Sequence, residues 1–476
     1  MTAPLILGTN SIKDTSYDVA NSVRMDIGSS DHFEKTPSSA VTGERKKFTV
    51  SCWLKRSVLG GEQAIISAGN GAGSEEFEIV FNSDNTLQVK HDDASSVVHQ
   101  LVTKMKFVDT AAWFHIVYVY DSANATEALR ARLFVNGVEL TNANSDFSTY
   151  NAVSSNDLTP MNVDERHHVG STSFDSGGSG ASFFGGYMAE FYQTAGQANI
   201  ASVFGEYDSD SPTIWKPKNP SGLSFGTNGF YLDFEDSSNL GKDVSGNTNN
   251  FTVDNLTSID QSTDTCTNNF TTWNPLDSGR EYSGTIGLKN GNLTQDNAND
   301  ASLISTVALN KGKWYMEFKC EDADNTRTFG IIDIAESNGY VGHPSIASAV
   351  SYGYKSSDGT LWIGTSEQAS SVGTTSAGDI VSMLIDLDSG TKTIKWKKNN
   401  SDLSGTTQLT ISHSTSDYYF GIICRCDGGQ IISANFGSPP YSISSGNTDG
   451  NGYGNFEYAV PSGYFALNTK NLAEYG

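Results

Sequence analysis

The sequence is poor in charged residues, and poorest in positive ones. Charged residues make up 18% of the 476 positions, and 30 Lys and Arg stand against 54 Asp and Glu, so the formal net charge is −24. A charge of this sign repels phosphate backbones, and no block of Lys and Arg is present to overcome it. We therefore expect no nucleic-acid partner.

Long hydrophobic runs are also missing. No apolar segment approaches the roughly 18 residues that a membrane-spanning helix needs, so we expect no membrane insertion. The first residues, Met-Thr-Ala-Pro-Leu-Ile-Leu-Gly, contain neither the basic region nor the apolar stretch of a signal peptide. The pattern favours synthesis in a cytoplasm.

Cysteine is scarce and odd in number. The five positions are Cys52, Cys266, Cys320, Cys424 and Cys426. Cys424 and Cys426 share one face of a strand-like run, where the backbone holds their side chains apart. A zinc site built on this pair would need a second pair at ligand spacing, which the sequence lacks. We expect free thiols, as in a protein made in a reducing compartment.

Alternation of apolar and polar residues is the dominant pattern. Phe48, Val50, Cys52 and Leu54 alternate with polar or amphipathic neighbours, and short apolar runs bounded by Gly, Asn, Asp and Ser recur at roughly ten-residue intervals. Sustained helical periodicity and heptads are missing, which excludes a coiled-coil stalk. Together with 11% aromatic residues, the pattern predicts an all-β protein of antiparallel sandwiches.

The length and the composition indicate more than one domain. A chain of 476 residues is too long for one core. We predict one domain over residues 1–222, a bridging segment over 223–275 and a second domain over 276–476. The bridge is rich in Asn, Asp, Ser and Thr but keeps several Phe residues, which favours a packed connector over a free linker. Residues 1–40 are interpreted as a spare N-terminal segment, and residues 171–181 as the most flexible loop.

The first half carries a recognisable series of strands. These are Phe48-Thr-Val-Ser-Cys-Trp-Leu-Lys55, Trp113-Phe-His-Ile-Val-Tyr-Val-Tyr-Asp121, Arg132-Leu-Phe-Val-Asn-Gly-Val-Glu-Leu140 and Phe184-Gly-Gly-Tyr-Met-Ala-Glu-Phe-Tyr192. The order resembles the laminin-G-like, concanavalin A-like jelly-roll family, although Ala189 stands where an acidic residue is usual. Independently of the family, Asn136-Gly137 predicts a type I′ hairpin turn, because both residues tolerate positive φ.

The second half resembles a SPRY domain, which is also a two-sheet concanavalin A-like sandwich. The pieces that carry the likeness are Gly312-Lys-Trp-Tyr-Met-Glu-Phe-Lys319, Ala377-Gly-Asp-Ile-Val-Ser-Met-Leu-Ile-Asp-Leu-Asp-Ser-Gly390 and Ala434-Asn-Phe-Gly437. The resemblance covers roughly 160 residues and implies a jelly roll in this half as well.

The segment between the halves resembles the bridge found in virion proteins of tailed bacteriophages. It is carried by Asn228-Gly-Phe-Tyr-Leu-Asp-Phe-Glu235, Thr265-Cys-Thr-Asn-Asn-Phe-Thr-Thr-Trp-Asn-Pro-Leu-Asp277 and the tail Tyr464-Phe-Ala-Leu-Asn468. The resemblance implies a protein of the phage particle surface, on tail or capsid, with other virion proteins as partners. Exposed sheet edges leave self-association into a homo-oligomer open.

Two groups of His and acidic residues are candidates for a metal site. The first contains His91, Asp92, Asp93 and His99, and the second contains Asp164, Glu165, His167 and His168. A metal site needs three or four ligands that converge in space. If 167–168 lie in a strand, only one of the two histidines can face a given site. We interpret both groups as exposed polar residues of loops and strand edges, and leave the metal ligands open.

Signatures of an enzyme are missing. Asp386 and Asp388 lie on one strand face, but a glycoside hydrolase needs two carboxyl groups across a cleft, and the Glu-x-Asp-x-x-Glu string of jelly-roll glycosidases does not occur. We interpret Asp388-Ser-Gly390 as a hairpin turn. The sequence also contains no Gly-x-Ser-x-Gly, so we predict no catalytic residues.

Ligands are expected from loops rather than from a cofactor pocket. Acidic turns, Asp322/Asp324/Asn325 and Asp233/Glu235/Asp236, offer oxygen ligands for Ca²⁺, but their spacing is typical of solvated turns, so no cofactor is predicted. Aromatic residues at loop positions (Tyr150, Trp215, Tyr340 and Tyr453) are of the type that stacks on sugars, and none is assigned as a ligand-binding residue.

The function expected from these observations is adhesion or decoration without catalysis. The first hypothesis is a tail-fibre or receptor-binding component that contacts host cell-surface carbohydrate. The second is a decoration or connector protein docked on capsid or tail. The third, a polysaccharide depolymerase, is disfavoured by the missing carboxylate signature.

Overall fold

The computed structural model describes residues 17–69, 75–93, 95–172, 180–277, 286–297, 301–322, 327–335, 350–426 and 429–476. Tyr340, Asp324, Asn325 and most of the loop 171–181 lie outside these ranges. The chain divides into two compact units, one covering Thr15–Thr267 and the other Asn268–Gly476. The predicted bridge is split by this division, since residues 223–267 belong to the first unit and 268–275 to the second.

The first unit is built from short antiparallel strands. Its described strands are β1 (Ser22–Met25), β2 (His32–Lys35), β3 (Lys47–Arg56), β4 (Gln63–Gly69), β5 (Glu75–Phe81), β6 (Thr86–Asp93), β7 (Val97–Lys106), β8 (Phe114–Asp121), β9 (Ala131–Val135), β10 (Val138–Leu140), β11 (Phe147–Asn151), β12 (His167–Val169), β13 (Gly186–Ala195), β14 (Gly205–Tyr207), β15 (Trp215–Pro217), β16 (Phe230–Leu232), β17 (Thr252–Asp254) and β18 (Gln261–Ser262). Its helical pieces are α1 (Thr42–Lys46) and the 3-10 turns Glu127–Leu129, Ala201–Val203 and Ser258–Asp260.

These strands form two facing sheets. Sheet 1 has the order β10-β9-β8-β3-β13-β1-β18, with β16 added beside β13, and sheet 2 has the order β11-β7-β6-β5-β4-β12-β2-β17. One continuous core fills the space between them, from Val50 and Tyr118 on sheet 1 to Phe77 and Leu101 on sheet 2. Side chains that alternate along each strand therefore form this core from the inner face of each sheet, as the sequence predicts.

Residues 22–35 are not spare, contrary to the interpretation of residues 1–40, of which 1–16 lie outside the described ranges. Strand β1 pairs with β13 and β18, and β2 pairs with β12 and β17. Val23 and Phe33 are fully buried in the core. The sequence interpretation failed here because four-residue strands give too short an alternation to stand out from a loop.

The outer face of sheet 1 is covered by the chain's own aromatic residues. The hairpin of β14 and β15 places Trp215 over His115, with the indole Nε1 3.0 Å from His115 Nδ1. Trp53 stacks on the His115 ring with centroids 4.8 Å apart. This face is therefore occupied within the unit, whereas the outer face of sheet 2 carries polar side chains.

The second unit repeats the two-sheet arrangement. Its described strands are β19 (Ile286–Lys289), β20 (Thr294–Asn297), β21 (Ala301–Leu309), β22 (Lys313–Cys320), β23 (Arg327–Asp333), β24 (Ser351–Lys355), β25 (Thr360–Ile363), β26 (Ser366–Ala369), β27 (Ile380–Asp386), β28 (Thr393–Lys398), β29 (Ser401–Asp402), β30 (Gln408–Thr410), β31 (Phe420–Cys426), β32 (Gln430–Asn435) and β33 (Phe465–Ala466). The helical pieces are Pro275–Asp277, a 3-10 turn, and α2 (Thr469–Tyr475).

Two sheets again enclose a single core. Sheet 3 has the order β19-β20-β32-β22-β27-β28-β29, with β30 beside β28 and β33 beside β22, and sheet 4 has the order β21-β31-β23-β24-β25-β26. Trp314 and Trp396 of sheet 3 and Phe329 of sheet 4 are completely buried in this core. The prediction of an all-β chain of two antiparallel sandwiches is confirmed. Among the described residues, no helix is long and apolar enough to cross a membrane.

Two local predictions are also confirmed. Asn136 and Gly137 have φ of 47° and 80° and connect β9 to β10, as a type I′ turn requires. All five cysteines are free, and both Cys424 and Cys426 are buried in the core.

Candidate functional site

A continuous line of polar residues crosses all eight strands of sheet 2. Strand register places each member directly opposite the next. In spatial order the members are Thr252, Glu34, His168, Ser67, Glu78, Lys90, Gln100 and Asn151. We call this line the polar row. With strands about 4.8 Å apart, it extends over roughly 34 Å.

The polar row faces away from the core. The neighbours of its members along each strand point inward, since Phe33, Ile66, Ile79, Val89 and Leu101 are core residues. Successive side chains of a strand point to opposite faces, so Glu34, Ser67, Glu78, Lys90 and Gln100 point outward. Eight consecutive polar residues on an outer face make a surface for hydrogen bonding rather than for apolar packing.

Ion pairs and amides connect the middle of the row. Lys90 Nζ lies 3.5 Å from Glu78 Oε1 and 2.7 Å from Asp92 Oδ2. Gln88 Nε2 donates to Glu78 Oε1 at 3.2 Å, and Gln100 Nε2 donates to Gln88 Oε1 at 2.9 Å. Burial raises the pKa of Glu78 to about 7, although the nearby Lys90 opposes this rise. The group is therefore able to exchange a proton near neutral pH.

The centre of the row is covered by the chain that follows β12. Ser67 Oγ donates to the Ser171 carbonyl oxygen at 3.0 Å, and His168 Nδ1 lies 2.9 Å from Ser171 Oγ. Ser67 and His168 have no exposed surface, whereas Lys90, Gln100 and Asn151 are partly or fully accessible. The accessible part of the polar row thus lies toward β6, β7 and β11.

Near the other end, the row includes metal-ligating side chains. His32, Glu34 and His168 each offer one ligand atom, and these atoms lie within 4.8 Å of one another. The distance from His168 Nε2 to Glu34 Oε2 is 3.6 Å. Asp254 Oδ2 lies 3.7 Å from His32 Nε2. We call His32, Glu34 and His168 the His-Glu-His cluster, and among the described residues it is the one such group.

The first sequence-predicted His/acid group does not form a site. His91 and His99 are opposite each other on β6 and β7 and face the core. His91 Nδ1 lies 3.1 Å from Asp157 Oδ2, and His99 Nε2 lies 3.0 Å from the Tyr118 hydroxyl. The interpretation as exposed residues was therefore wrong for both histidines. Asp92 points to the other face and pairs with Lys90.

The second group is divided by its strand, as the alternation rule predicts. His167 points inward, where it accepts a hydrogen bond from the Asn162 backbone N–H at Nε2, and burial lowers its pKa to about 4. His168 points outward to the His-Glu-His cluster. Both are buried rather than exposed, which corrects the sequence interpretation. Neither Asp164 nor Glu165 belongs to the cluster.

The described residues of the other predicted groups take structural roles. Asp386 accepts hydrogen bonds from the backbone N–H and hydroxyl of Ser389, in the turn that joins β27 to β28. Asp388 accepts from the Gly312 N–H. Asp236 accepts from Ser238 and Lys242. These carboxylates stabilise turns, as the hairpin interpretation of 388–390 predicts.

Three of the loop aromatics are described and each is partly packed. Tyr150 lies in β11 against the first core. Trp215 packs on the face of His115 with ring centroids 6.2 Å apart. The ring of Tyr453 lies under Lys470 Nζ at 5.6 Å from its centroid.

Sequence reasoning missed the first two members of the His-Glu-His cluster. The available signal was His32-x-Glu34, two ligand types two residues apart, which share one face if the segment is a strand. The segment was interpreted as a spare N-terminus, and so the signal was not used.

A family model described as the concanavalin A-like lectin/glucanases superfamily matches residues 28–192. No curated protein matches the chain. Solved structures similar to parts of the chain include the SPRY domain of human HERC1, at 12% identity and a TM-score of 0.27, covering 34% of this chain and 96% of that one.

Two further similar structures are not SPRY domains. The SAP-like pentraxin from Limulus polyphemus is 14% identical over 39% of this chain and 80% of its own, with a TM-score of 0.27. The CBM40 of a Ruminococcus gnavus IT-sialidase, bound to alpha2,3 sialyllactose, is 16% identical over 35% of this chain and 88% of its own, with a TM-score of 0.24. The family match over residues 28–192 and the two facing sheets agree on a concanavalin A-like fold for the first unit.

Proposed function

We propose that this protein is a non-enzymatic carbohydrate-binding protein of a phage particle, and that the polar row is where the carbohydrate binds. The observation that carries the proposal is the unbroken line of eight polar residues on the outer face of a concanavalin A-like domain. The opposite outer face of this unit is covered by Trp215 and its hairpin. Among the described residues, the accessible part of the polar row toward β6, β7 and β11 remains as a surface for a glycan.

The side chains of the polar row suit the hydroxyl groups of a sugar. Carboxylates accept two or more hydrogen bonds, amides both donate and accept, and the Lys90 ammonium donates three. These groups are held by paired strands, so their side chains lose little conformational entropy on binding. The accessible members Lys90, Gln100 and Asn151 lie on three neighbouring strands and span roughly 10 Å, a length that suits a short stretch of a glycan.

The charge of the surface favours neutral glycans. Glu76 and Asp92 lie opposite each other on β5 and β6, next to Glu78 in the row. Lys90 is the cation among them, and its ammonium is already paired with Asp92. Acidic polysaccharides would meet uncompensated carboxylates, so we expect weaker binding to them than to neutral polymers.

The position on the particle is proposed from the sequence resemblance. A tail-fibre or receptor-binding component would contact host surface glycans with this face. A decoration or connector protein would instead bind other virion proteins. Tight binding of the purified chain to empty capsids, without binding to host polysaccharide, would favour the second role.

Binding of the purified chain to host polysaccharide tests the proposal. The double variant Lys90→Ala/Gln100→Ala removes two accessible members of the row, and we expect it to weaken binding about tenfold or more, a loss typical of two removed hydrogen-bonding groups. The matched control is Lys397→Ala/Gln408→Ala, which makes the same changes on sheet 3. Equal binding by both double variants and the parent would refute the assignment of the row. Release of reducing ends would show a depolymerase instead.

A further inference from the structure

We propose that His32, Glu34 and His168 bind a divalent transition-metal ion, with Zn²⁺ as the ion of choice. Two imidazole nitrogens and one carboxylate oxygen are a common ligand set of zinc sites that keep a fourth position open. Glu34 and His168 also belong to the polar row, but zinc binding is measured without sugar, so failure of this proposal is distinguishable from failure of the glycan-binding proposal.

The sheet fixes the three ligands in place. His32 and Glu34 lie two residues apart on β2, and His168 lies directly opposite Glu34 on β12. All three therefore project from one face of two paired strands. The cluster's ligand atoms lie within 4.8 Å of one another, and the shortest measured separation is 3.6 Å. In a tetrahedral zinc site with bonds of about 2.0–2.1 Å, ligand atoms are roughly 3.3 Å apart, so small side-chain rotations close the site.

The distances are too long for direct hydrogen bonds. His168 Nε2 is 3.6 Å from Glu34 Oε2, and His32 Nε2 is 3.7 Å from Asp254 Oδ2. At these separations each carboxylate oxygen lies close to an imidazole nitrogen without a direct hydrogen bond between them. His168 is completely buried and His32 is 5% exposed, whereas the side chains of Glu34 and Asp254 are 37% and 36% exposed, so the site is open to solvent on its carboxylate side.

The second nitrogen of each histidine is also engaged. His32 Nδ1 lies 3.0 Å from the Ser30 carbonyl oxygen, which can only accept, so Nδ1 carries the proton and Nε2 is left as the ligand. His168 Nδ1 lies 2.9 Å from the Ser171 hydroxyl. Oxygen partners of this kind orient the imidazoles of metal sites and raise their basicity. Phe183 packs on His32 with ring centroids 5.6 Å apart and further restricts that ring.

The ligand types select the ion. Ca²⁺ and Mg²⁺ prefer six or more oxygen ligands, whereas two nitrogens and one oxygen suit Zn²⁺ and its neighbours in the first transition row. Asp254 lies opposite His32 on β17, beside the fourth position. It can complete the coordination or hold a water molecule there.

The test is a zinc titration of the full chain after removal of metal with a chelator. We expect saturable binding of one equivalent and a rise in the unfolding temperature of several degrees at excess zinc. His32→Gln and Glu34→Gln should each weaken zinc binding about tenfold or more and abolish the temperature shift. The Glu34 side chain is 37% exposed, so its replacement tests the site with little risk to folding.

Matched controls lie in the other unit. Glu367→Gln changes an exposed strand residue in the same way as Glu34→Gln, and His413→Gln changes a histidine outside the cluster. Both should bind zinc as the parent does. Substitution with Co²⁺ should give visible absorption bands of nitrogen ligation, which His32→Gln should reduce.

Three outcomes would overturn the proposal. These are the lack of saturable zinc binding, binding that neither variant weakens, and competition by Ca²⁺ at equal concentration. The glycan-binding proposal fails or holds separately, because Lys90→Ala/Gln100→Ala leaves all zinc ligands in place and should bind zinc normally.

Discussion

At the scale of single residues, burial sets the protonation of this domain. His99 and His167 have pKa values lowered to about 4, and that of His115 is lowered to about 3, all mainly because burial disfavours the charged ring. For Glu78 the shift has the opposite direction, since burial raises the pKa of this acid to about 7. The two kinds of group give opposite dependences of stability on pH.

The histidines stabilise the fold at neutral pH and lose this contribution in acid. Their unfolded pKa is near 6.5, so the unfolded chain binds more protons as the pH falls from 6.5 to about 4. Glu78 acts in reverse. Between pH 4.5 and about 7 the folded state holds its proton more tightly, so its contribution to stability falls as the pH rises.

Glu78→Gln should therefore change the pH dependence of unfolding. At pH 8 we expect the variant to be more stable than the parent by on the order of 1–3 kcal/mol, because the buried charge is removed. At pH 4 the two should be equal, since Glu78 is protonated in both states of the parent. From pH 8 to pH 4 the variant should thus lose stability more steeply.

Denaturant unfolding at several pH values measures this difference. Glu367→Gln is the control, because it removes the same charge from an exposed position. A difference between the Glu78 variant and the parent that is the same at pH 8 and pH 4 would contradict the assignment of Glu78 as a group that burial keeps protonated.

At the scale of secondary-structure elements, the covering hairpin of sheet 1 depends on one glycine. Gly137 has φ of 80°, and a Cβ placed on it would come within 2.4 Å of the Trp215 ring. The turn between β9 and β10 therefore needs a residue that both tolerates positive φ and leaves space for the indole.

Gly137→Ala should destabilise the first unit by more than positive φ alone costs. The control is Gly222→Ala, which has φ of 71° and no atom within 4 Å of the added Cβ. We expect about 1–2 kcal/mol for the control from left-handed backbone strain. The Gly137 variant should lose about 1–3 kcal/mol more from overpacking.

Thermal unfolding and tryptophan fluorescence together report this change. The emission of Trp215 should shift as the hairpin moves off His115, whereas the control should keep the parent spectrum. Equal unfolding temperatures for the two variants would contradict this prediction, because the hairpin would then move away from the added methyl group without loss of stability.

The elements also show which features a sequence can reveal. Long alternating runs such as β3 and β8 were predictable, because eight or ten residues give a clear period of two. The Asn136-Gly137 turn was predictable from its backbone preferences alone. The four-residue β2 and the three-residue β17 were not, because their placement depends on partners distant in sequence.

The candidate site was hidden for the same reason. The polar row joins residues from 34 to 252, and only register between non-consecutive strands brings them into line. Glu190 illustrates a second limit. It has φ of 51° at a bulge of β13, where its carboxylate accepts from the hydroxyls of Tyr17, Tyr192 and Tyr231. No local pattern marks such a bulge, because long-range partners stabilise it.

At the scale of the whole molecule, two separate hydrophobic cores stabilise the fold, one in each unit. The first contains residues such as Phe48 and Phe77, and the second contains Trp314 and Phe329, with no residue in common. Each unit thus buries enough apolar surface to unfold as a cooperative body of its own.

Calorimetry of the full chain should therefore resolve two unfolding transitions. Excess zinc should raise the temperature of only one of them, because the His-Glu-His cluster lies wholly within Thr15–Thr267.

Glu317→Ala should lower the temperature of only the other transition, that of the second unit. The carboxylate of Glu317 is buried on β22 and accepts from the backbone N–H groups of Glu457 and Tyr458, so its removal leaves two donors without an acceptor, at a cost of about 1–3 kcal/mol each at most. If zinc and Glu317→Ala moved the same transition, the two units would unfold as one body, and the loss of either core would then unfold the polar row as well.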